Sequence, residues 1–262
     1  MIITGKFDPV TSSEVMKVKE LRKKYQVKDI YVSLQEEGIL PIEKRRELLR
    51  LAFAPYRHIH VISSSKADLE LNDFSDEEAK ARSGYFRLVP KSVRRKLIED
   101  NCYLDEIVNA LCKPSRAIHS KGVAETAKIL AKAHNLDEKK AERMGYLHDV
   151  TKALSDEEGK RMLSFWHKED VNLNPKIYHS RTAVFFLKQN MGLYDPSILT
   201  PIWHHTLGQG RSDYDRILYI ADKIEPNRKY DTTYHLALAK KDLRKAMELV
   251  VYEGELYRRK EK

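Results

Sequence analysis

Residues 145–152 read GYLHDVTK, and this stretch decides the fold of the second half of the chain. Asp137 is a helix-capping residue type. Ala141, Met144 and Leu147 follow at helical spacing, so a helix runs from Asp137 towards Lys152 and delivers His148 and Asp149 in its last turn. Further out, His119 sits in the first turns of a helix carrying Val123, Ala127, Leu130 and Ala131. Ser155-Asp156-Glu157-Glu158 is a capping box that opens a helix to about Trp166. His179 opens a helix that reaches Met191 and is closed by Gly192. Asp195-Pro196 opens one that reaches His205, and Asp222 lies on the Ile217–Ile224 stripe. A last helix runs from about Tyr234 to Tyr257, and no convincing strand appears after Lys113-Pro114-Ser115. This half reads as all-α.

The order H…HD…H…HH…D is the chemical content of these helices. Neutral imidazoles and carboxylates suit a divalent first-row metal. There are more of them here than one tetrahedral site needs. Asp149 has two oxygens and can bridge two ions about 3.5–4 Å apart, the separation that suits phosphoryl substitution. The expected ligands are His119, His148, Asp149, His179, His205 and Asp222. His205 is preferred to its neighbour His204, while His134, His167 and His235 are assigned structural roles. Lys152 shares a helix face with His148 and is placed to hold a phosphate oxygen. Asp149 and Lys152 are therefore the expected catalytic pair, with Lys152, Arg211 and Arg228 as substrate-binding residues.

Composition sets bounds on this reading. The chain has 262 residues, 42% hydrophobic and 33% charged, enough for two ordinary domains with packed cores. Cys102 and Cys112 are too few for a disulfide framework. With no signal-peptide layout in MIITGKFDPV and no long apolar run, a cytoplasmic protein is expected. The net charge is +9. Residues 113–262 hold 28 basic against 21 acidic side chains, and residues 1–112 hold 20 against 18. The excess travels with the His/Asp cluster and favours anionic partners. The basic residues are scattered over helix faces, which disfavours nucleic acid.

The first third alternates strand and helix. Met1–Thr4, Asp29–Leu34 and Ile59–Ser63 read as strands. Helices are expected from Ser12 or Ser13 to Tyr25 and over Pro41–Phe53. This β-α-β-α-β order implies a parallel sheet. Asp68–Arg82 reads as a loop with some helix; Pro90–Asn101 and Leu104–Leu111 read as helices. The domains are expected at 1–112, α/β, and 113–262, all-α.

RAIHSKGVAETAKILA (116–131), GYLHDVTK (145–152), IYHSRTAVFFL (177–187), PIWHHTLG (201–208) and LYIADKIEPNR (218–228) together resemble the HD-domain superfamily of metal-dependent phosphohydrolases. The resemblance is nearest to the YqeK-type symmetrical diadenosine tetraphosphate hydrolases. It implies a helical bundle and two divalent ions, iron foremost with manganese, cobalt or zinc as alternatives. It also implies cleavage of diadenosine tetraphosphate into two ADP by metal-activated water. The first domain resembles the nicotinate-nucleotide adenylyltransferases, a Rossmann-like nucleotidyltransferase fold, through GKFDPV (5–10) and RLVPKSVRRKLIEDNCY (87–103). Where that family carries HxGH, this chain has Thr11-Ser12-Ser13-Glu14. A truncated, degenerate domain is implied, with scaffolding or dimerisation left to it, so a homodimer is allowed. The alternatives are another HD nucleotide phosphohydrolase, a bifunctional protein with residual adenylyltransferase activity, and a binding module with a structural metal.

Overall fold

The computed structural model describes residues 1–260, and its chain forms two compact units. The first comprises Met1–Tyr103 with Gln189–Gly192; the second comprises Leu104–Lys188 and Leu193–Lys262, of which residues 261–262 lie outside the described part.

The first unit is a small parallel sheet with helices. β1 (Ile2–Gly5), α1 (Ser12–Lys24), β2 (Ile30–Leu34), α2 (Ile42–Phe53), β3 (Ile59–Val61), β4 (Leu69–Leu71), α3 (Ser75–Arg82) and α4 (Lys91–Glu99) follow one another. The strand order is β3-β2-β1-β4, every pairing parallel, with Ile3 facing Val32 on one side and Leu69 on the other. Ile3, Ile30, Val32, Leu48, Leu49 and Phe53 are buried in its core. The strand over Leu69–Leu71 is a correction: Asp68–Arg82 contains a fourth strand and a helix. Its three residues are too few to show an alternation, and only pairing with the central β1 makes them a strand. Arg45 is fully buried and donates to the carbonyls of Lys6, Gln35, Glu36 and Leu40, fixing the loops at the carboxyl ends of β1 and β2.

The second unit is helical among its described residues: α5 (Leu104–Leu111), α6 (Pro114–Ala133), α7 (Glu138–Leu147), α8 (Asp156–Trp166), α9 (Pro175–Phe186), α10 (Pro196–His204), α11 (Asp213–Ile224), α12 (Thr233–Lys241) and α13 (Leu243–Lys260). Its sequence signals act as capping chemistry requires. Asp137, Ser155, Asn174, Asp195 and Ser212 each accept a backbone N–H at the head of a helix, and Ser155–Glu158 is a complete capping box. The break between units falls before Leu104, not at the expected 112/113, because Ile107 and Val108 of α5 are buried and α5 packs on α6 and α7. Two helix boundaries also differ. The helix bearing His179 begins at Pro175, so His179 lies in its second turn. The expected C-terminal helix is two, separated at Asp242, whose extended backbone (φ −153°, ψ 100°) interrupts the helical path. No helix among the described residues is long and apolar enough to cross a membrane.

α6 and α7 pack closely along their length, and Gly145 lies at the contact. A Cβ there would lie 2.3 Å from Ala124 Cα and 2.5 Å from its backbone nitrogen, so only glycine permits this crossing. The crossing brings the end of α7 beside the second turn of α6. α9, α10 and α11 complete the ring around that point.

Candidate metal centre

The side chains that meet there come from five helices. His119 rises from α6; His148 caps α7 and Asp149 follows it; His179, His205 and Asp222 come from α9, the end of α10 and α11. All six residues are buried, His148 completely. Asp149 lies between two groups. Its Oδ2 is 3.5 Å from His148 Nε2, while its Oδ1 is 3.3 Å from His179 Nε2 and 3.5 Å from His205 Nε2. On the first side, Asp222 Oδ1 stands 3.0 Å from His119 Nε2 and 3.9 Å from His148 Nε2. On the second, the Nε2 atoms of His179 and His205 are 3.2 Å apart. Two ligands on one ion at about 2.1 Å lie roughly 3–3.5 Å from each other, so the spacing suits shared coordination.

The free valences support this fit. His119 Nε2, His148 Nε2 and Asp149 Oδ1 are buried without a hydrogen-bond partner, a costly state for polar atoms with nothing to bind. The opposite ring nitrogens are occupied. His148 Nδ1 is 2.7 Å from the Gly145 carbonyl, His205 Nδ1 is 2.7 Å from the Ile202 carbonyl, and His119 Nδ1 is 3.2 Å from Glu225 Oε1. A carbonyl can only accept, so His148 and His205 carry the proton on Nδ1 and turn the Nε2 lone pair inward.

Protonation follows burial and charge. Burial pushes His148 down to about 4 and His179 down to about 3, so both rings are neutral at physiological pH. Burial alone would raise Asp149 and Asp222. For Asp149 it is outweighed by His148 and the other histidines, and for Asp222 by Lys223 and His119, which hold both carboxyls well below their usual range. Neutral imidazoles and ionised carboxylates are the states that ligate metals.

Positive charge borders the cluster. Arg116 Nη1 is 3.0 Å from Asp149 Oδ2, Lys223 Nζ is 2.7 Å from Asp222 Oδ2, and Arg228 Nη2 is 3.2 Å from Asp222 Oδ1. Lys152 Nζ stands 2.9 Å from His179 Nδ1, and its burial lowers its pKa. The turn carrying Lys152 is tied to α9 by the Thr151 hydroxyl, which donates to the His179 carbonyl. Lys152 and His179 also line a cavity of about 370 Å³ with Thr182, Tyr178, Leu154 and Asn174.

Arg211 is set apart: it is exposed in the loop before α11 and makes no ion pair with the cluster among the described residues. His204 turns its Nδ1 to Asp215 Oδ1 at 3.1 Å. His134, His167 and His235 pair with the Ala239 carbonyl, Asp170 and Glu253. Sequence reading missed Arg116, Lys223 and Glu225. Arg116 lies one helical turn before His119 and Lys223 is adjacent to Asp222, so helical spacing alone could have found the first two.

Comparison with known proteins places this arrangement. Residues 116–227 match the model of the HD domain, a span that contains every residue of the cluster. A Bacillus subtilis protein named "Bis(5'-nucleosyl)-tetraphosphatase, symmetrical" is 34% identical over 50% of this chain and 73% of its own length. The chain belongs to the HD-domain hydrolase family that includes this protein. A Mycoplasma pneumoniae protein named "Probable nicotinate-nucleotide adenylyltransferase/Ap4A hydrolase" is 34% identical over 63% of this chain, but the match spans only half, 50%, of that relative's length. A crystal structure of an HD superfamily hydrolase from Clostridium acetobutylicum, described as involved in NAD metabolism, superimposes with a TM-score of 0.51 at 29% identity. It covers 60% of this chain and 88% of its own.

Proposed function

We propose that the chain hydrolyses diadenosine tetraphosphate symmetrically, to two ADP, at the centre shared by His119, His148, Asp149, His179, His205 and Asp222. The observation that carries this reading is the pair of donor groups on either side of Asp149, with His119 Nε2, His148 Nε2 and Asp149 Oδ1 buried and unpartnered. We take the cofactor to be two divalent ions, iron foremost: His119, His148 and Asp222 would hold one, His179 and His205 the other, and Asp149 both. When bound, such ions lower the pKa of water and neutralise charge on phosphate oxygens. The protein's own part is orientation and charge. Arg116, Lys152, Lys223 and Arg228 supply cations beside the reacting phosphates, and the 370 Å³ cavity at Lys152 and His179 has room for a nucleoside end. The relatives in Bacillus subtilis, Halalkalibacterium halodurans and Staphylococcus aureus that carry the symmetrical tetraphosphatase name support the substrate.

For residues 1–103 we propose a Rossmann-like, nucleotidyltransferase-derived fold without transferase activity. The parallel β3-β2-β1-β4 sheet supports the fold. Thr11 and Glu14 support the loss. They form a capping box at the head of α1, with Glu14 buried and accepting from the Thr11 N–H, so side chains that would face a triphosphate serve the helix itself. The two-function name of the Mycoplasma pneumoniae relative favours a second reading, in which adenylyltransferase activity persists.

The test is protein prepared without oxygen, analysed for metal and incubated with diadenosine tetraphosphate. ADP as sole product is expected. AMP plus ATP, or no turnover with metal bound, refutes the proposal. Pyrophosphate release from ATP and nicotinate mononucleotide would establish the second reading.

A further inference from the structure

Glu225 is not among the donor atoms that face inward, yet it is as buried as they are, at 2% exposure. A carboxylate so placed must have its oxygens occupied. Its Oε2 accepts from the backbone N–H of Asn227 at 2.7 Å and from Asn227 Nδ2 at 2.8 Å. Its Oε1 is 3.2 Å from His119 Nδ1, and Arg228 Nε lies 3.8 Å from the same oxygen. Room for it comes from α6: a Cβ on Gly122 would stand 2.4 Å from Glu225 Oε2. Gly122 lies one turn beyond His119, so α6 carries both the imidazole and the gap that admits its partner. The end of α11 repeats this economy, since Asp222 in its last turn faces the cluster while Glu225, the C-cap, reaches behind His119.

The backing of the other imidazoles differs. His148 and His205 each lean on a neutral carbonyl three residues back in their own helix. His179 has the Lys152 side-chain nitrogen against its ring, 2.9 Å from Nδ1 and 3.3 Å from Nε2, and no carboxylate or carbonyl behind it among the described residues. His119 is backed by an anion from another helix. An imidazole whose N–H points at a carboxylate is a more basic, better-oriented ligand, and one without such a partner is a poorer one. The two halves of the centre are thus built unequally.

We propose that Glu225 is a positioning residue that makes the His119–His148–Asp222 half the tighter of the two metal sites. It holds the His119 proton on Nδ1 and presents the Nε2 lone pair inward. This rests on the dinuclear reading above.

The test is titration of chelator-stripped full-length protein with Co2+, following d–d absorption and bound metal by equilibrium dialysis. The wild type is expected to fill two sites of unequal affinity. Glu225→Gln keeps the shape and removes the charge. It is expected to weaken the tighter site by about 10- to 100-fold, leave the weaker one unchanged, and unfold in metal-free form no earlier than wild type. Gly122→Ala, which displaces Glu225, is expected to shift the same site. Two wild-type affinities in Glu225→Gln, or equal loss at both sites, would overturn the proposal. Failure of the wild type to bind metal at all would overturn the dinuclear reading and this inference with it.

Discussion

Gly145→Ala tests how the centre is assembled without touching a donor. The new methyl would sit 2.3 Å from Ala124 Cα, 2.5 Å from Ala124 N and 2.9 Å from Val123 C. These are backbone atoms of α6, so no rotamer change relieves the clash. Ordinary contact begins at 3.4 Å, so α7 must withdraw by about 1 Å, a shift that core packing resists. Alanine gains about 1 kcal/mol of helix propensity over glycine, while overpacking of this kind costs about 1–3 kcal/mol. The expected net loss is about 0–2 kcal/mol, or a fall in Tm of up to about 8 °C. The larger effect is on metal. The Gly145 carbonyl orients His148, and a displacement of about 1 Å exceeds the roughly 0.2 Å that ligation tolerates. Thermal unfolding with and without metal, combined with metal stoichiometry, measures both effects. Gly145→Ala should lose most of the metal-induced rise in Tm. Gly254→Ala, where a Cβ meets nothing within 4 Å, should be neutral or slightly stabilising. Wild-type metal content and Tm in Gly145→Ala would refute the reasoning.

The two adjacent histidines should separate cleanly. His205→Ala is expected to lower bound metal and turnover by at least 10-fold, whereas His204→Ala, which loses only the Asp215 contact, should keep its metal; equal loss in both would sink the assignment. In the first unit, burial and the neighbouring Glu78 carboxylate raise Glu14 to about 9. A carboxyl whose folded pKa lies above its unfolded value stabilises fully below that unfolded value and loses the contribution as pH rises towards the folded one. Hydrogen exchange in α1 of the full chain should therefore quicken, beyond the intrinsic pH effect, between about pH 5 and 9. Glu14→Gln should flatten that dependence, and an unchanged slope would show that the pair does not carry it.

Much of the helical half was legible because its signals are local. Asp137, Ser155, Asp195 and the stripe Ile217–Ile224 announce their helices within one or two turns, and the ordered histidines and aspartates do converge. What escaped depends on distance in the chain. Leu69–Leu71 is a strand only because β1 pairs with it. Glu225 matters through an imidazole 106 positions away. Thr11 to Glu14 reads as damage when set against a motif, while the fold uses it as a cap. Asn174-Pro175 begins the helix of His179 a turn early, since Asn caps and Pro at the first position form a start signal.

Asp149 turns Oδ2 towards His148 and Oδ1 towards His179 and His205, so in the two-ion centre proposed above one carboxylate would join the two half-sites in series. Charge placed on one side reaches the other through two bonds rather than through solvent. In that reading the first ion to arrive would fix the orientation of a carboxylate that the second must share. A preparation exposed to two metals in sequence and one exposed to them together are then expected to differ in composition wherever release of the first ion is slow.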